Sequence, residues 1–184
     1  MNFDPRRFNT GAVYNRPKSR FRLSGHVEAY MFDAKKVPTF DDYLRLRQRN
    51  ELEKFVLWKD KGDNLVVNAG LARIILLLNA GSTTAFGSCG VGSGTNNPAP
   101  TDTDLQTAIT RITVTNITQS ANVGYWNTFF SSAVGNGTWN ETGLFDTNTL
   151  GSGTMLCRKL FSSSFPKTSL NTATIAWQLT VTAV

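Results

Sequence analysis

The residues best suited to chemistry in this chain are few, and their spacing matches no catalytic arrangement. His26 is the only histidine, so a Ser-His-Asp set would have to be built on it, and no Gly-x-Ser-x-Gly elbow accompanies it. A two-histidine metal site is excluded, and Cys89 and Cys157 lack partners at ligand spacing. Both cysteines read as small buried strand residues. Gly90-Val-Gly-Ser-Gly94-Thr has the outline of a phosphate cradle but lacks the lysine of a P-loop and the helix-opening glycine of a dinucleotide site. The glycines run into Asn-Asn-Pro-Ala-Pro, which predicts a tight turn and a long surface loop. Asp102 with Asp104, or Glu141 with Asp146, could be paired carboxylates for glycoside cleavage. The better reading gives Asp102 a turn-capping role before Leu105. Glu141 then meets Arg111 or Arg158 in a structural ion pair that orients strands. The expectation is a non-enzyme with no catalytic residues, no metal and no cofactor.

The elements that would position these residues are mostly strands. Residues 26–32 alternate weakly and predict a first strand. Thr39 has the character of a helix N-cap, with Asp41 and Asp42 in the first turn, and a short surface helix is expected to about residue 54. Residues 55–58 predict a second strand and 61–64 a turn, making the helix an insertion in a hairpin. Asn68 is expected to cap a helix over 69–79, with Leu71, Ile74, Ile75 and Leu78 on its buried face and Gly81 stopping it. Strands follow at 86–92, 111–118, 125–134, 138–145, 154–161 and 173–181, a spacing typical of a sandwich or jelly roll. The last is the clearest, with Ala173, Ile175, Trp177, Leu179 and Val181 alternating with more polar residues. The predicted fold is mainly β: an antiparallel β-sandwich, jelly-roll-like, with one buried helix, a short surface helix and an extended N-terminal arm.

Charge divides the chain unevenly. Residues 1–61 carry 14 Lys/Arg against 8 Asp/Glu, while residues 62–184 carry 5 against 5. Within 1–22, Arg6, Arg7, Arg16, Lys18, Arg20 and Arg22 face only Asp4, and Phe3, Phe8, Tyr14 and Phe21 are spaced among them. We read 1–22 as an extended basic and aromatic arm whose rings can anchor in a partner's groove. Residues 23–184 are then the sandwich domain, with a helical insertion near 40–54. Six cations could also hold phosphates with a salt-sensitive affinity. The body has no nucleic-acid motif, however, and the cations are interleaved with aromatics, so a protein partner is favoured over nucleic acid. The longest apolar run, residues 74–78, is too short to span a bilayer, and no membrane partner is expected.

Several segments, taken in order, carry a resemblance. They are Asn64-Leu-Val-Val-Asn-Ala-Gly-Leu71, Gly90-Val-Gly-Ser-Gly-Thr95, Pro98-Ala-Pro-Thr-Asp-Thr-Asp-Leu105, Glu141-Thr-Gly-Leu-Phe145 with Thr154-Met-Leu-Cys-Arg158, and the closing strand with Trp177. This series resembles small virion structural proteins of tailed bacteriophages and, more loosely, the N-terminal attachment domains of phage tail-fibre and collar proteins. The resemblance covers residues 62–184. It implies a β-sandwich assembled into a particle and brings no catalytic residues with it. The resulting expectation is a virion structural protein, made in the bacterial host cytoplasm, docking on other virion proteins through its arm and forming a homo-oligomer. A tail, neck or baseplate adaptor is preferred to a capsid decoration protein. A carbohydrate- or receptor-binding sandwich is a further alternative, for which Trp139, beside Gly137, is the tryptophan expected to be exposed.

Overall fold

The alternating C-terminal stretch does fold as a strand, and it forms the middle of one of two sheets. A computed structural model describes residues 20–79, 81 and 84–184. Ten strands fall in the order β1 (Phe21–Asp33), β2 (Val56–Asp63), β3 (Leu65–Val66), β4 (Ser88–Gly92), β5 (Ala108–Thr113), β6 (Asn116–Ser120), β7 (Val123–Phe130), β8 (Gly137–Phe145), β9 (Met155–Lys167) and β10 (Asn171–Ala183). Helix α1 (Phe40–Gln48) and a 3-10 turn (Leu52–Phe55) lie between β1 and β2, and helix α2 (Asn68–Leu78) lies between β3 and β4. One sheet has the order β2-β1-β10-β7-β6, the other β3-β9-β8-β4-β5, and every pairing is antiparallel. The protein is a mainly β molecule, a β-sandwich.

The main core lies between the sheets. Val27, Ala29 and Met31 of β1 and Ala173, Ile175, Trp177 and Leu179 of β10 supply one inner face. Cys89, Val91, Leu144 and Cys157 supply the other. The two cysteines are free: each pairs in register with Leu144 from opposite sides, so they stand two strands apart, about 9.5 Å, beyond disulfide reach. Burial pushes both thiols up from their ordinary range. A clamp at one edge joins the sheets, where Asp60 of β2 meets Lys159 Nζ at 2.8 Å and accepts from Ser162 N at 2.6 Å. Burial alone would raise the Asp60 carboxyl, but the Lys159 and Ser162 hydrogen bonds outweigh it and hold the group below its usual range.

A second, smaller core forms where α1 folds over β1. Tyr43 is fully buried against Phe32, with Tyr30, Val37 and Leu52 around it. Thr39 caps the helix as predicted, its Oγ1 accepting from Asp42 N at 3.2 Å. Because this core covers the outer face of β10 at that end, Thr172 and Thr174 are buried, and Thr172 Oγ1 donates to Val37 O at 2.7 Å.

Several boundaries differ from the sequence reading. Strand β1 begins at Phe21, and Phe21 and Arg22 pair with Ala183 and Thr182, so these two residues belong to the sheet rather than to the arm. Residues 61–63, expected in a turn, continue β2 opposite β1 up to the pair His26 and Asp63; pairing along a long neighbour overrides local turn propensity. The single strand expected over 111–118 is two, because the chain changes sheets there: Val114 N donates to Gly87 O and Thr115 N to Asn127 O. The short surface helix ends at Gln48, where Asn50 takes a positive φ of 56°.

Candidate docking surface around helix α2

The acidic residues singled out for chemistry, and the arginines expected to meet them, lie on the outer face of the second sheet and its loops. His26 lies on the other sheet, and Cys89 and Cys157 point into the core. Glu141 is fully buried, and its Oε2 accepts from Arg158 Nε at 2.7 Å. Its remaining lone pairs are taken by backbone donors: Gly94 N at 3.0 Å, Thr107 N at 2.9 Å and Gln106 N at 3.1 Å. The glycine-rich segment therefore does cradle an anion, but the anion is the chain's own carboxylate. A Cβ at Gly92 would stand 2.6 Å from Glu141 Oε1 and from Thr107 O, which accounts for glycine at that position.

Arg158 also donates to Asp102 Oδ2 at 2.8 Å and to Asn96 O at 3.0 Å. Asp102 in turn accepts from Ala99 N at 2.9 Å, closing a turn in the 93–107 loop. Arg111 does not reach Glu141. It meets Asp104 at 2.8 Å, donates to the carbonyls of Thr147, Thr149 and Ser152, and lies 3.5 Å over the Phe145 ring. The two arginines thus pin the two long loops of this sheet, 93–107 and 146–154. They stand in one cross-strand row, Arg111, Gly90, Gly143, Arg158, on four adjacent strands. The acidic pairs considered for glycoside cleavage are separated by these ion pairs, Asp146 being held by Arg73 at 2.8 Å.

This hub also seats α2. Asn68 N donates to Pro100 O at 2.8 Å, Val67 N donates to Leu156 O at 3.0 Å, and Arg73 reaches Asp146. Gly70 lies so close to β9 that a Cβ there would stand 2.5 Å from Leu156 O. The face turned to the body is therefore Gly70, Ile74 and Leu77. The expected buried face is corrected by one residue's rotation: Leu71, Ile75 and Leu78 point outward, Ile75 at 53% and Leu78 at 74% exposure. An all-round apolar helix leaves the choice of face ambiguous. The readable signal was Gly70 with Arg73, a small residue for close approach beside a cation needing a buried partner.

Two apolar grooves flank α2. One, of about 660 Å³, is lined by Phe21, Leu23, Leu65, Leu71 and Ile75. The other, of about 380 Å³, is lined by Leu77, Phe86, Trp126 and Val181, and both share Leu23 and Ile74. Phe21 is 62% exposed, and Asp63 stands at the rim of the first groove with its side chain almost wholly in water.

Elsewhere the sequence candidates resolve as follows. Of the arm, Arg20, Phe21 and Arg22 are described, while Phe3, Arg6, Arg7, Phe8, Tyr14, Arg16 and Lys18 lie outside the described residues. Arg20 O accepts from Val184 N at 2.9 Å. His26 Nδ1 stands 3.5 Å from Asp63, and among the described residues no serine or cysteine hydrogen-bonds to its ring. Trp139, expected at the surface, is fully buried: its ring packs between Phe130 and Phe165, and Nε1 donates to Gly135 O at 2.6 Å. Trp58 stacks on Phe165, and Trp126 Nε1 donates to Phe86 O. Among the described residues no cluster of His, Cys, Asp and Glu suits a metal ion, and no helix is long and apolar enough to cross a membrane. No protein-family model, curated protein or solved structure matches the chain.

Proposed function

We propose that this protein is a non-enzymatic structural component of a tailed-phage virion, docking through its basic and aromatic arm and self-associating around the particle. A tail, neck or baseplate adaptor is preferred to a capsid decoration protein. The observation that carries this reading is the use made of the residues that could do chemistry. Of the segments bearing the resemblance, those around Gly94, Asp102, Glu141 and Arg158 meet in one internal hub whose polar atoms bond to each other, while the closing strand with Trp177 lies in the other sheet. What the body offers to a neighbour is apolar: the outer face of α2 and its grooves. Contiguous exposed apolar ground of this kind marks interaction surfaces. The sugar-binding alternative is weakened by the burial of Trp139, the tryptophan expected at the surface.

The arm reading is tested by removing residues 2–19, stopping short of Arg20 because β1 starts at the next residue. The truncated chain is expected to keep its circular dichroism and melting curve while failing to join particles in an infected culture. Incorporation at the level of the intact chain would overturn the reading.

A further inference from the structure

We propose that the grooves beside α2 receive the N-terminal arm of a second copy of this chain, Phe3, Phe8 and Tyr14 being the residues that enter them. This rests on the reading of residues 1–22 as a tether and names the site that receives it.

The first argument is the distribution of apolar surface. Among the described residues, most of the exposed large apolar side chains, including Phe21, Leu71, Ile75, Leu78 and Val181, gather at this end, while Leu57, Ile117, Leu150 and Leu170 are scattered elsewhere. An aromatic side chain buries on the order of 150–250 Å² when it finds apolar ground, and the grooves beside α2 supply such ground. The second argument is length. The 11 residues of α2 rise about 16 Å, and five residues of extended chain, the separation of Phe3 from Phe8, cover about the same distance. One ring can therefore seat near each end of the helix.

The third argument is charge. The last turn of α2 carries no basic residue, so its C-terminal carbonyls and partial negative charge lack a cation of their own. Asp63 adds an exposed carboxylate at the rim of the larger groove, whose lining also includes Arg22. Arg6, Arg7, Arg16 and Lys18 lie between and beside the arm's aromatics, as a segment laid across that helix end requires.

The occupant is a second copy because of the direction of β1. Residues 21–25 run along the wall of the larger groove and the chain leaves it at Phe21. The same chain would have to double back to fill the groove it has just left, whereas a neighbour's arm enters without reversal. Such a contact is head-to-tail, and repetition closes it into a ring or extends it into a filament.

The test uses the full chain with a benzoyl-phenylalanine photocrosslinker in place of Phe8, two differently tagged populations being mixed before irradiation. The expected product joins the two tags, with the linkage at residues 71–78 or on the groove walls. In parallel, Ile75→Glu and Leu78→Glu, both on the outward face, should keep the native melting curve while weakening self-association about tenfold or more in sedimentation velocity. Crosslinks confined to single chains, crosslinks away from α2, or unchanged self-association of both variants would each overturn the proposal. Normal self-association of these variants, combined with loss of particle incorporation on deleting 2–19, would remove the α2 seat and leave the tether standing.

Discussion

The two α-helices among the described residues are built for opposite purposes. Helix α1 has charged residues facing water and buries Tyr43 beneath it. Its apolar side completes a core with Phe32 and Val37, and on its outer side Arg45 pairs with Asp42. Helix α2 inverts this arrangement. Its polar ties, through Asn68, Arg73 and the backbone at Val67, point toward the body beside Ile74 and Leu77, while Leu71, Ile75 and Leu78 face outward. Strand β1 connects these ends, running from Leu23 in the groove wall to Phe32 under α1, about 30 Å of extended chain. One end of the sandwich is finished and the other is presented. The contrast teaches that hydrophobicity in a helix does not identify the face that packs; the fixed polar contacts do.

The largest effect that would break this contrast is loss of the hub. Arg158→Met strands the Glu141 carboxylate in a buried site, and a loss of about 3–5 kcal/mol is expected. Chemical denaturation would measure it, and a change under 1 kcal/mol would mean the hub does not seat the loops. Gly70→Ala should cost about 1–3 kcal/mol by forcing α2 off β9. Hydrogen exchange is expected to speed up in α2 and remain native in α1.

At the α1 end, pH gives a smaller effect. Lys167 is 1% exposed and donates to Ser131 O and Asn136 Oδ1, and burial pulls its pKa down to about 8. Its charged form is therefore penalised in the folded state, fully so below pH 8. Stability should rise as pH climbs from about 8 toward the unfolded value near 10.5, by on the order of 1–2 kcal/mol. Compared with Lys167→Met, the wild type should gain in melting temperature across that window; a constant difference would contradict the burial argument. Thr39→Ala, which removes the α1 cap, should cost about 1 kcal/mol by the same denaturation assay. Smallest of all is Ile75→Glu on the presented face, expected to change folding stability by less than about 0.5 kcal/mol. A larger loss would show that this face packs after all.

Much of the fold was legible because alternation and capping are local. Thr39 followed by Asp41 and Asp42 marks the α1 start, and the residues from Ala173 to Leu179 mark an inward strand face without any knowledge of partners. The Glu141 pairing was only half legible. The residue types announce a buried pair, but the choice of Arg158 over Arg111 depends on cross-strand register, since Arg158 lies on the strand beside Glu141 and Arg111 lies two strands away. The same limit applies to Trp139, whose neighbour Gly137 has the look of a loop. Its ring turns inward because Phe165 is its register partner. The outward face of α2 needed the close approach at Gly70, which the apolar pattern conceals.

The position of β1 has a mechanical consequence. It is an inner strand, paired with β10 over its whole length and with β2 over its second half. A pull applied at Arg20 along the strand axis loads the hydrogen bonds of β1 in shear, all together, instead of peeling them one at a time from an edge. The body is thus gripped by the strand it can least afford to lose, and a load at Arg20 is carried straight into the middle of the sheet.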